Sequence, residues 1–222
     1  MGPDADFIRS QTVLQSPPLV PEIKLHLATE VTPLWQMTEE KFAQTNPGSG
    51  SGAGMPPPFW AFAWPGGQGL ARYVLDHPDE VRGKRVLDFG CGGGIAAIAA
   101  HKAGAARVLA CDIDPLAQLA AEMNAGANGA TLEIMGEIDM QKPFRKVDVI
   151  LAGDVCYQQA MSATVTRWLR LSAEAGARVL IADPGRAWVP QEGLEEIVRY
   201  EVPTSRELED RESRTVIVWK MV

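Results

Sequence analysis

The sequence predicts an α/β protein with a Rossmann-like, mostly parallel sheet of seven strands. Short apolar runs that fit buried strands alternate with alanine-rich stretches that fit helices, over residues 59–222. A glycine-rich turn follows the first of these runs, as in sheets that bind a nucleotide at the carboxyl ends of their strands. With 222 residues, the chain has room for one domain with a sizeable core.

Residues 1–58 precede this pattern and are rich in proline and turn-forming residues. A strand is expected within residues 21–28 and a short helix within residues 33–42. Residues 46–54 form a glycine- and serine-rich segment of low complexity. Because this region directly precedes the core, we expect residues 1–58 to be an accessory extension that covers the ligand site or shapes a substrate groove.

Aromatic residues and glycines crowd into residues 57–68, ahead of a helix expected over residues 69–76. This composition fits a turn that faces a ligand. Trp64 and Gly66 are the candidates for contact with a cofactor or substrate, because the turn leads directly into the helix before the first strand. Core packing is an equal alternative for the other aromatic residues of the segment, Phe59, Trp60 and Phe62.

The most informative motif is the glycine loop after the first strand of the sheet. Gly90, Gly92 and Gly94 occupy alternate positions, and Asp88 precedes the first of them by two residues. Glycines let the backbone turn sharply and approach a ligand closely. Residues 95–100 then begin a helix whose N-terminus faces the same turn. A nucleotide-like ligand is expected here.

Three ligand classes compete for this loop. A phosphate-binding P-loop is excluded, because no lysine follows Gly94. A dinucleotide is a closer rival, since Gly92, Gly94 and Ala97 fit the G-x-G-x-x-A pattern and Asp112 follows at a suitable distance. However, the Asp88 carboxylate would repel a pyrophosphate and suit a cationic ligand that carries an amino group. The motif therefore favours S-adenosylmethionine, with a nicotinamide dinucleotide, and hence an oxidoreductase, as the alternative.

The next two strands end in further acids. The second strand ends in Asp112, which we expect to accept both ribose hydroxyls. Asp114 and Pro115 fit a helix N-cap and first helical position, although Asp112 and Asp114 could exchange roles. A third strand over residues 131–135 leads to Glu137, the candidate acceptor for the adenine amino group. A solvated loop glutamate is the competing interpretation of Glu137.

A fourth strand over residues 147–152 brings Asp154 and Tyr157 to the same edge of the sheet, beside the cofactor, where the methyl acceptor must come; Asp154 is thus a candidate for contact with both. A carboxylate beside a sulfonium suits an amine acceptor, because it can hold the hydrogens of the amine and align its lone pair. A helix N-cap is the alternative role for Asp154. A helix over residues 160–173 and a fifth strand over residues 178–183 follow.

The last two strands are expected as an antiparallel pair over residues 195–203 and 214–221. The charged residues 207–212 between them read as a solvated link.

The composition narrows the function classes. A formal net charge of −7 argues against binding to a nucleic-acid backbone and suits a lysine-bearing protein substrate. Three histidines and three cysteines lack the spacing of a metal site, and the odd cysteine count argues against a disulfide framework. No apolar run reaches the roughly 20 residues of a membrane span, and the first residues resemble no targeting peptide. We expect a monomer in the cytoplasm, without metal or membrane.

The chain resembles the electron transfer flavoprotein β-subunit lysine methyltransferase family, within the class I methyltransferases. Four segments carry the resemblance: Pro-Pro-Phe-Trp-Ala-Phe-Ala-Trp-Pro-Gly-Gly-Gln (57–68), Leu-Asp-Phe-Gly-Cys-Gly-Gly-Gly (87–94), Gly-Asp-Val-Cys-Tyr (153–157) and Ala-Asp-Pro-Gly-Arg (182–186). The glycine loop is common to the superfamily, whereas the tryptophan and Asp-x-x-Tyr segments are more specific. The glycine- and serine-rich segment at 46–54 is longer than the family needs.

This resemblance implies the strand order 3-2-1-4-5-7-6 with the last strand antiparallel. It places Asp88, Gly90 and Asp112 at the cofactor, and Asp154 and Tyr157 at the acceptor. It further implies that a lysine ε-amine attacks the methyl group of S-adenosylmethionine, leaving S-adenosylhomocysteine, with Asp154 orienting the amine rather than acting as a strong base. The expected acceptor is the electron transfer flavoprotein β subunit. A ribosomal protein or a small amine is the alternative acceptor.

Overall fold

The computed structural model describes residues 2–29, Leu34 and residues 58–222. Strands in this part of the chain are β1 (Val13–Gln15), β2 (Leu25–Leu27), β3 (Arg85–Phe89), β4 (Arg107–Cys111), β5 (Glu133–Met135), β6 (Val149–Gly153), β7 (Arg178–Asp183), β8 (Leu194–Pro203) and β9 (Ser213–Met221). Helices are α1 (Pro3–Gln11), α2 (Pro65–Asp76), α3 (Ile95–Lys102), α4 (Pro115–Ala127), α5 (Gln159–Glu174) and α6 (Arg206–Glu209). Short 3₁₀ helices span Phe59–Ala61 and Pro78–Glu80.

The predicted sheet is confirmed, including its strand order. Strands β3 to β9 form a seven-stranded sheet in the order β5-β4-β3-β6-β7-β9-β8, which is 3-2-1-4-5-7-6 when β3 is counted as the first strand. The pairs on either side of β3 are parallel, and β9 is antiparallel to both β7 and β8. This arrangement brings the carboxyl ends of β3, β4, β5, β6 and β7 to one edge of the sheet.

Two hydrophobic layers sandwich the sheet, because successive residues of each strand point to opposite faces. On one face, Val86 and its equivalents pack under α2, α3 and α4. On the other face, Leu87 and its equivalents pack under α5, where Trp168 is fully buried and its ring centroid lies 4.8 Å from that of Phe89. The strands are therefore apolar on both sides, as expected of a parallel sheet covered by helices.

Local signals set the start of α4 as predicted. Asp114 is the N-cap residue, and its Oδ1 accepts a hydrogen bond from the Leu116 N–H at 2.8 Å. Pro115 occupies the first turn, where its missing N–H has no consequence. The interpretation of Asp114 as a structural cap is confirmed.

Two predictions are wrong: the start of α2 and the full solvation of the link between β8 and β9. The glycine-rich turn expected before residue 69 is the first turn of α2, which begins at Pro65. The link between β8 and β9 is not uniformly solvated, because it contains α6 and a buried Glu209. Glu209 accepts hydrogen bonds from Arg186 and Arg214, so its charge is paired inside the fold.

The N-terminal extension supplies a two-stranded antiparallel sheet, β1 and β2. The strand expected within residues 21–28 is present but shorter, at Leu25–Leu27. The predicted helix at 33–42 and the segment at 46–54 lie outside the described residues, apart from Leu34. No described helix has the length and apolarity needed to cross a membrane.

Asn124 on α4 ties this extension to the glycine loop. Its side chain is fully buried; Oδ1 accepts from the His26 N–H and Nδ2 donates to the Gly93 carbonyl, both at 2.8 Å. One turn later, the less buried Asn128 accepts from the Lys24 N–H and donates to the Lys24 carbonyl. The two asparagines thus bind the backbone at and next to β2, whose strand partner among the described residues is β1.

Substituting Asn124→Ala should destabilise the fold by about 2 kcal/mol, because it leaves the partly buried His26 N–H and Gly93 carbonyl without their partner. Asn128→Ala is the matched control and should cost about 1 kcal/mol or less, since water can reach its partners. Chemical denaturation measures both free energies of unfolding. Equal losses for the two variants would contradict the bridging role of Asn124.

Candidate active site

A cavity of about 480 Å³ opens at the carboxyl ends of the parallel strands. This volume lies within the range of small-ligand sites. Its walls come from residues 59–67 and from the loops after β3, β4, β5 and β6. Seven predicted site residues line it together: Trp64, Gly90, Gly92, Asp112, Glu137, Asp154 and Tyr157. The other two, Gly66 and Asp88, lie behind its wall.

The glycine loop has a backbone that only glycine adopts readily. Gly90, Gly92 and Gly94 have φ angles of +67°, +49° and +81°. A Cβ on Gly94 would also lie 3.1 Å from the Ala121 Cβ, so its absence lets α3 pack closely against α4. Gly90 and Gly92 form a surface without side chains in the cavity wall, ahead of the N-terminus of α3.

Asp112 fixes the far side of this loop. Its Oδ2 accepts from the Gly92 N–H at 2.9 Å, and its Oδ1 accepts from the Asp114 N–H at 3.0 Å. Burial raises the pKa of this carboxyl despite those hydrogen bonds. Each oxygen keeps a free lone pair, so the carboxylate can still accept from two hydroxyls. Its role as the ribose partner stays a prediction.

The residue after Asp112 was missed by the sequence analysis. Ile113 lines the cavity with a side chain that is 75% exposed, which is unusual for an isoleucine. Together with Ile138 and Met140, it gives an apolar wall beside Asp112 and Glu137 that suits a flat, weakly polar ring. The Glu137 side chain is itself exposed, so both interpretations of Glu137 remain open.

Asp88 lies underneath the glycine loop rather than in the cavity wall. Its side chain is buried, and Oδ2 accepts from the Ala97 N–H in the first turn of α3 at 2.9 Å. Burial raises the pKa of Asp88 to about 7, and the nearby Asp112 charge adds to this effect. Asp88 therefore does not reach a ligand in the cavity directly. The charge of its carboxylate would act on the ligand through the glycine loop.

Asp154 is held in an unusual conformation at the end of β6. Its φ of +57° is rare for a residue other than glycine, and its N–H donates to the Ala182 carbonyl at 2.9 Å. The carboxylate accepts from the Gly67 N–H at 2.8 Å and from Arg186 at 2.5 Å. Helix α5 begins at Gln159, and its N-cap is Gln158, four residues after Asp154, so Asp154 does not cap it.

Gly66 permits this arrangement without reaching the cavity. A Cβ on Gly66 would lie 2.4 Å from the Ala182 carbonyl oxygen and 2.6 Å from Asp154 Oδ2. The first turn of α2 can approach Asp154 only because this position has no side chain. The steric need explains the glycine, and the predicted cofactor contact of Gly66 has no support from its position.

Arg186 is the main site residue that the sequence analysis left without a role. Its guanidinium contacts three carboxylates: Asp154, Glu209 at 2.6 Å and Asp183 at 3.3 Å. Its Cζ also lies 5.9 Å from the ring centroid of Trp64. Burial raises the pKa of Asp154 to about 6, and the charge of Arg186 opposes that rise. The signal was present in Asp183-Pro184-Gly185-Arg186, directly after a strand end.

An aromatic cluster borders Asp154. The Phe59 ring centroid lies 5.6 Å from that of Trp64 and 5.4 Å from that of Tyr157, and Phe62 packs against Trp64. All three remaining aromatic residues border the cavity: Trp60 is 1% exposed and packs in the core behind it, whereas Phe59 and Phe62 are half-buried. The carboxylate thus lies beside apolar rings, in a slot that fits an alkyl-amine chain.

The comparisons with known proteins agree with this geometry. The family model for ribosomal protein L11 methyltransferase (PrmA) matches residues 71–156. The electron transfer flavoprotein β-subunit lysine methyltransferase of Danio rerio is 36% identical over 222 residues, covering 97% of this chain and 82% of the relative. The Xenopus laevis protein of the same name is 41% identical over 183 residues, covering 82% and 70%.

The chain belongs to the electron transfer flavoprotein β-subunit lysine methyltransferase family. It is an S-adenosylmethionine-dependent methyltransferase, which removes the nicotinamide dinucleotide alternative and confirms the cofactor expected from the glycine loop.

Solved structures agree on the fold. A ribosomal protein L11 methylase from Lactobacillus delbrueckii subsp. bulgaricus superposes with a TM-score of 0.51 at 21% identity, covering 72% of this chain and 80% of that one. The magnesium protoporphyrin IX methyltransferase of Synechocystis with bound S-adenosylmethionine gives 0.51 at 22% identity, covering 70% and 79%. At these identities the likeness concerns the fold alone.

The residues of the cavity fit S-adenosylmethionine. The cofactor carries a sulfonium and an ammonium, and the cavity wall holds carboxylates of Asp112, Asp114, Glu137 and Asp154 against one guanidinium. The surface of Gly90 and Gly92 leaves room for close contact, and Ile113 offers an apolar face. A wall with this charge balance suits a cation better than a pyrophosphate.

Asp112 and Asp154, which follow different strands of the sheet, should differ in their effect on cofactor binding. Asp112→Ala should weaken S-adenosylmethionine binding by about 10- to 100-fold, because it removes charge-assisted hydrogen bonds and releases the loop at Gly92. Asp154→Ala should weaken it far less. Isothermal titration calorimetry measures both affinities, with Asp112→Asn as the variant that keeps a hydrogen-bond acceptor. Similar losses for Asp112→Ala and Asp154→Ala would refute this division.

Proposed function

We propose that this enzyme transfers methyl groups to lysine ε-amines of the electron transfer flavoprotein β subunit. The observation that carries this proposal is the Asp154 carboxylate, fixed by Arg186 and Gly67 beside aromatic rings in the same cavity as the glycine loop. A carboxylate in an apolar slot fits a long alkyl chain that ends in an amine. Relatives that bear this substrate in their name support the choice of protein.

The slot must accept the lysine as a neutral amine. A lysine has an ordinary pKa near ~10.4, so it is protonated in water at neutral pH. The rings of Phe59, Trp64 and Tyr157 disfavour the charged form by removing it from water. Burial raises the pKa of the Tyr157 phenol, which therefore stays a neutral hydroxyl and can hydrogen-bond the amine.

Asp154 orients the amine and does not act as the general base that removes its proton. Both carboxylate oxygens are already engaged, by Gly67 and Arg186, so the group has a fixed direction and spare lone pairs. An amine that donates to this carboxylate has its own lone pair turned away from it. When bound, S-adenosylmethionine supplies the sulfonium methyl group that the lysine nitrogen accepts, and S-adenosylhomocysteine remains.

Residues 1–58 are proposed to shape the entrance for the substrate. Leu25 of β2 lines the cavity, and the Ala28 N–H donates to the Ala61 carbonyl at 2.9 Å, next to the aromatic segment. Through Asn124, the same extension is linked to the glycine loop. A change in the extension would therefore alter both halves of the cavity.

The enzyme is proposed to act as a monomer in the cytoplasm, on protein rather than nucleic acid. Its cysteines Cys91, Cys111 and Cys156 are free and buried, which fits a reducing compartment. Its net charge of −7 opposes a nucleic-acid backbone.

The decisive assay incubates the protein with methyl-labelled S-adenosylmethionine and electron transfer flavoprotein from the same organism. Label should appear on β-subunit lysines, and Asp154→Ala should reduce the turnover at least about 100-fold, because the amine loses its orienting group. Asp154→Ala protein that still binds the cofactor is the control for folding. Label on a ribosomal protein instead, in whole extract, would replace the proposed acceptor.

A further inference from the structure

A second cavity, of about 400 Å³, lies outside the cofactor site along α5. It is an open groove between the outer face of α5 and the loop after β7. We call it the α5 groove and define it by Arg167, Arg170, Glu174, Trp188 and Pro190. None of these residues has a role in holding the cofactor.

The groove carries positive charge on a protein that is otherwise acidic. Arg167 and Arg170 are exposed on successive turns of α5, and neither takes part in an ion pair among the described residues. Within the described part of the chain, Arg170 Nη2 donates to the Glu192 carbonyl alone, at 3.4 Å, and a Cβ on Gly193 would lie 2.9 Å from it. Glu174 is the single carboxylate in the groove wall. Two guanidiniums thus face solvent with free donors.

The same groove exposes a tryptophan. The Trp188 side chain is 43% exposed, although an indole is costly to leave in water. Tryptophan and arginine are the residues that most often dominate protein–protein binding energy. Their combination in one groove is typical of a surface that contacts another polypeptide.

The groove and the cofactor cavity share two elements in their walls, α5 and the loop after β7. On α5, Met161 and Val165 line the cofactor cavity, while Ser162 and Thr166 line the groove. In the loop after β7, Arg186 lines the cavity and Trp188 the groove, two residues apart. A polypeptide that occupies the groove therefore lies against the same two elements that form part of the cavity wall around Asp154.

We propose that the α5 groove docks an acidic segment of the protein substrate, close to the lysine that enters the cavity. This inference rests on the proposed function, because it requires a protein acceptor. Aspartate or glutamate side chains of the segment pair with Arg167 and Arg170, and an apolar or aromatic residue covers Trp188. The cavity takes the lysine side chain and the groove takes its acidic neighbours, so a substrate with an acidic segment beside the lysine is bound in one orientation.

The test is steady-state methylation of electron transfer flavoprotein by a charge-reversal variant, R167E/R170E. Its KM for the flavoprotein should rise about tenfold, with kcat and S-adenosylmethionine affinity unchanged, because two attractive contacts become repulsive. The matched control, R145E/K146E, reverses the charge of two exposed cations before β6, outside the groove. It should leave the KM unchanged, and unchanged cofactor affinity in both variants shows that they are folded.

The outcomes separate the inference from the proposed function. An unchanged KM in R167E/R170E, or an equal rise in R145E/K146E, would overturn the docking site and leave the lysine methyltransferase intact. Absence of lysine methylation on any protein by the wild type, with normal cofactor binding, would overturn the proposed function and the docking site together. If the label appears on a different protein, the KM of both charge-reversal variants is measured with that protein. An unchanged KM in R167E/R170E would then overturn the docking site.

Discussion

The contact between the Asp154 carboxylate and its two donors is the interaction on which the acceptor half of the site depends. The Gly67 N–H and the Arg186 guanidinium fix the carboxylate from two sides, with φ of Asp154 at +57°. This geometry requires the first turn of α2 to touch the end of β6, which Gly66 permits by having no side chain. The aromatic segment immediately before α2 is thereby placed beside Asp154.

The buried carboxylates around Asp154 are paired with arginine side chains rather than hydrated by water. Arg186 faces Asp154, Asp183 and Glu209, and Arg214 shares Glu209, so carboxylates exceed guanidiniums within the network. Burial raises the pKa of Asp112 as well as that of Asp154. A cationic cofactor suits this excess, because positive charge brought near the carboxylates of the cavity wall favours their ionised form. The electrostatics of the cavity therefore favour S-adenosylmethionine.

Local signals made the cofactor half predictable, whereas the acceptor half depends on contacts between distant segments. Alternate glycines, Asp112 at a strand end and Asp114 before proline are patterns within a few residues, and each lies where expected. The roles of Gly66, Arg186 and Asn124 follow from partners that lie far away in the chain. Arg186 belongs to the segment 182–186, which carries part of the family resemblance. Its contact with Asp154 follows only from the pairing of β6 with β7.

The most direct test of this account is the pH dependence of kcat after substitution of Arg186. Arg186→Gln removes the charge that opposes the effect of burial, so the pKa of Asp154 should rise and the acidic limb of the profile should move up by about one pH unit or more. Arg186→Lys keeps a positive charge and should shift the limb much less. An acidic limb that stays at the wild-type pH in Arg186→Gln, with cofactor binding intact, would contradict the central role of the Asp154–Arg186 contact.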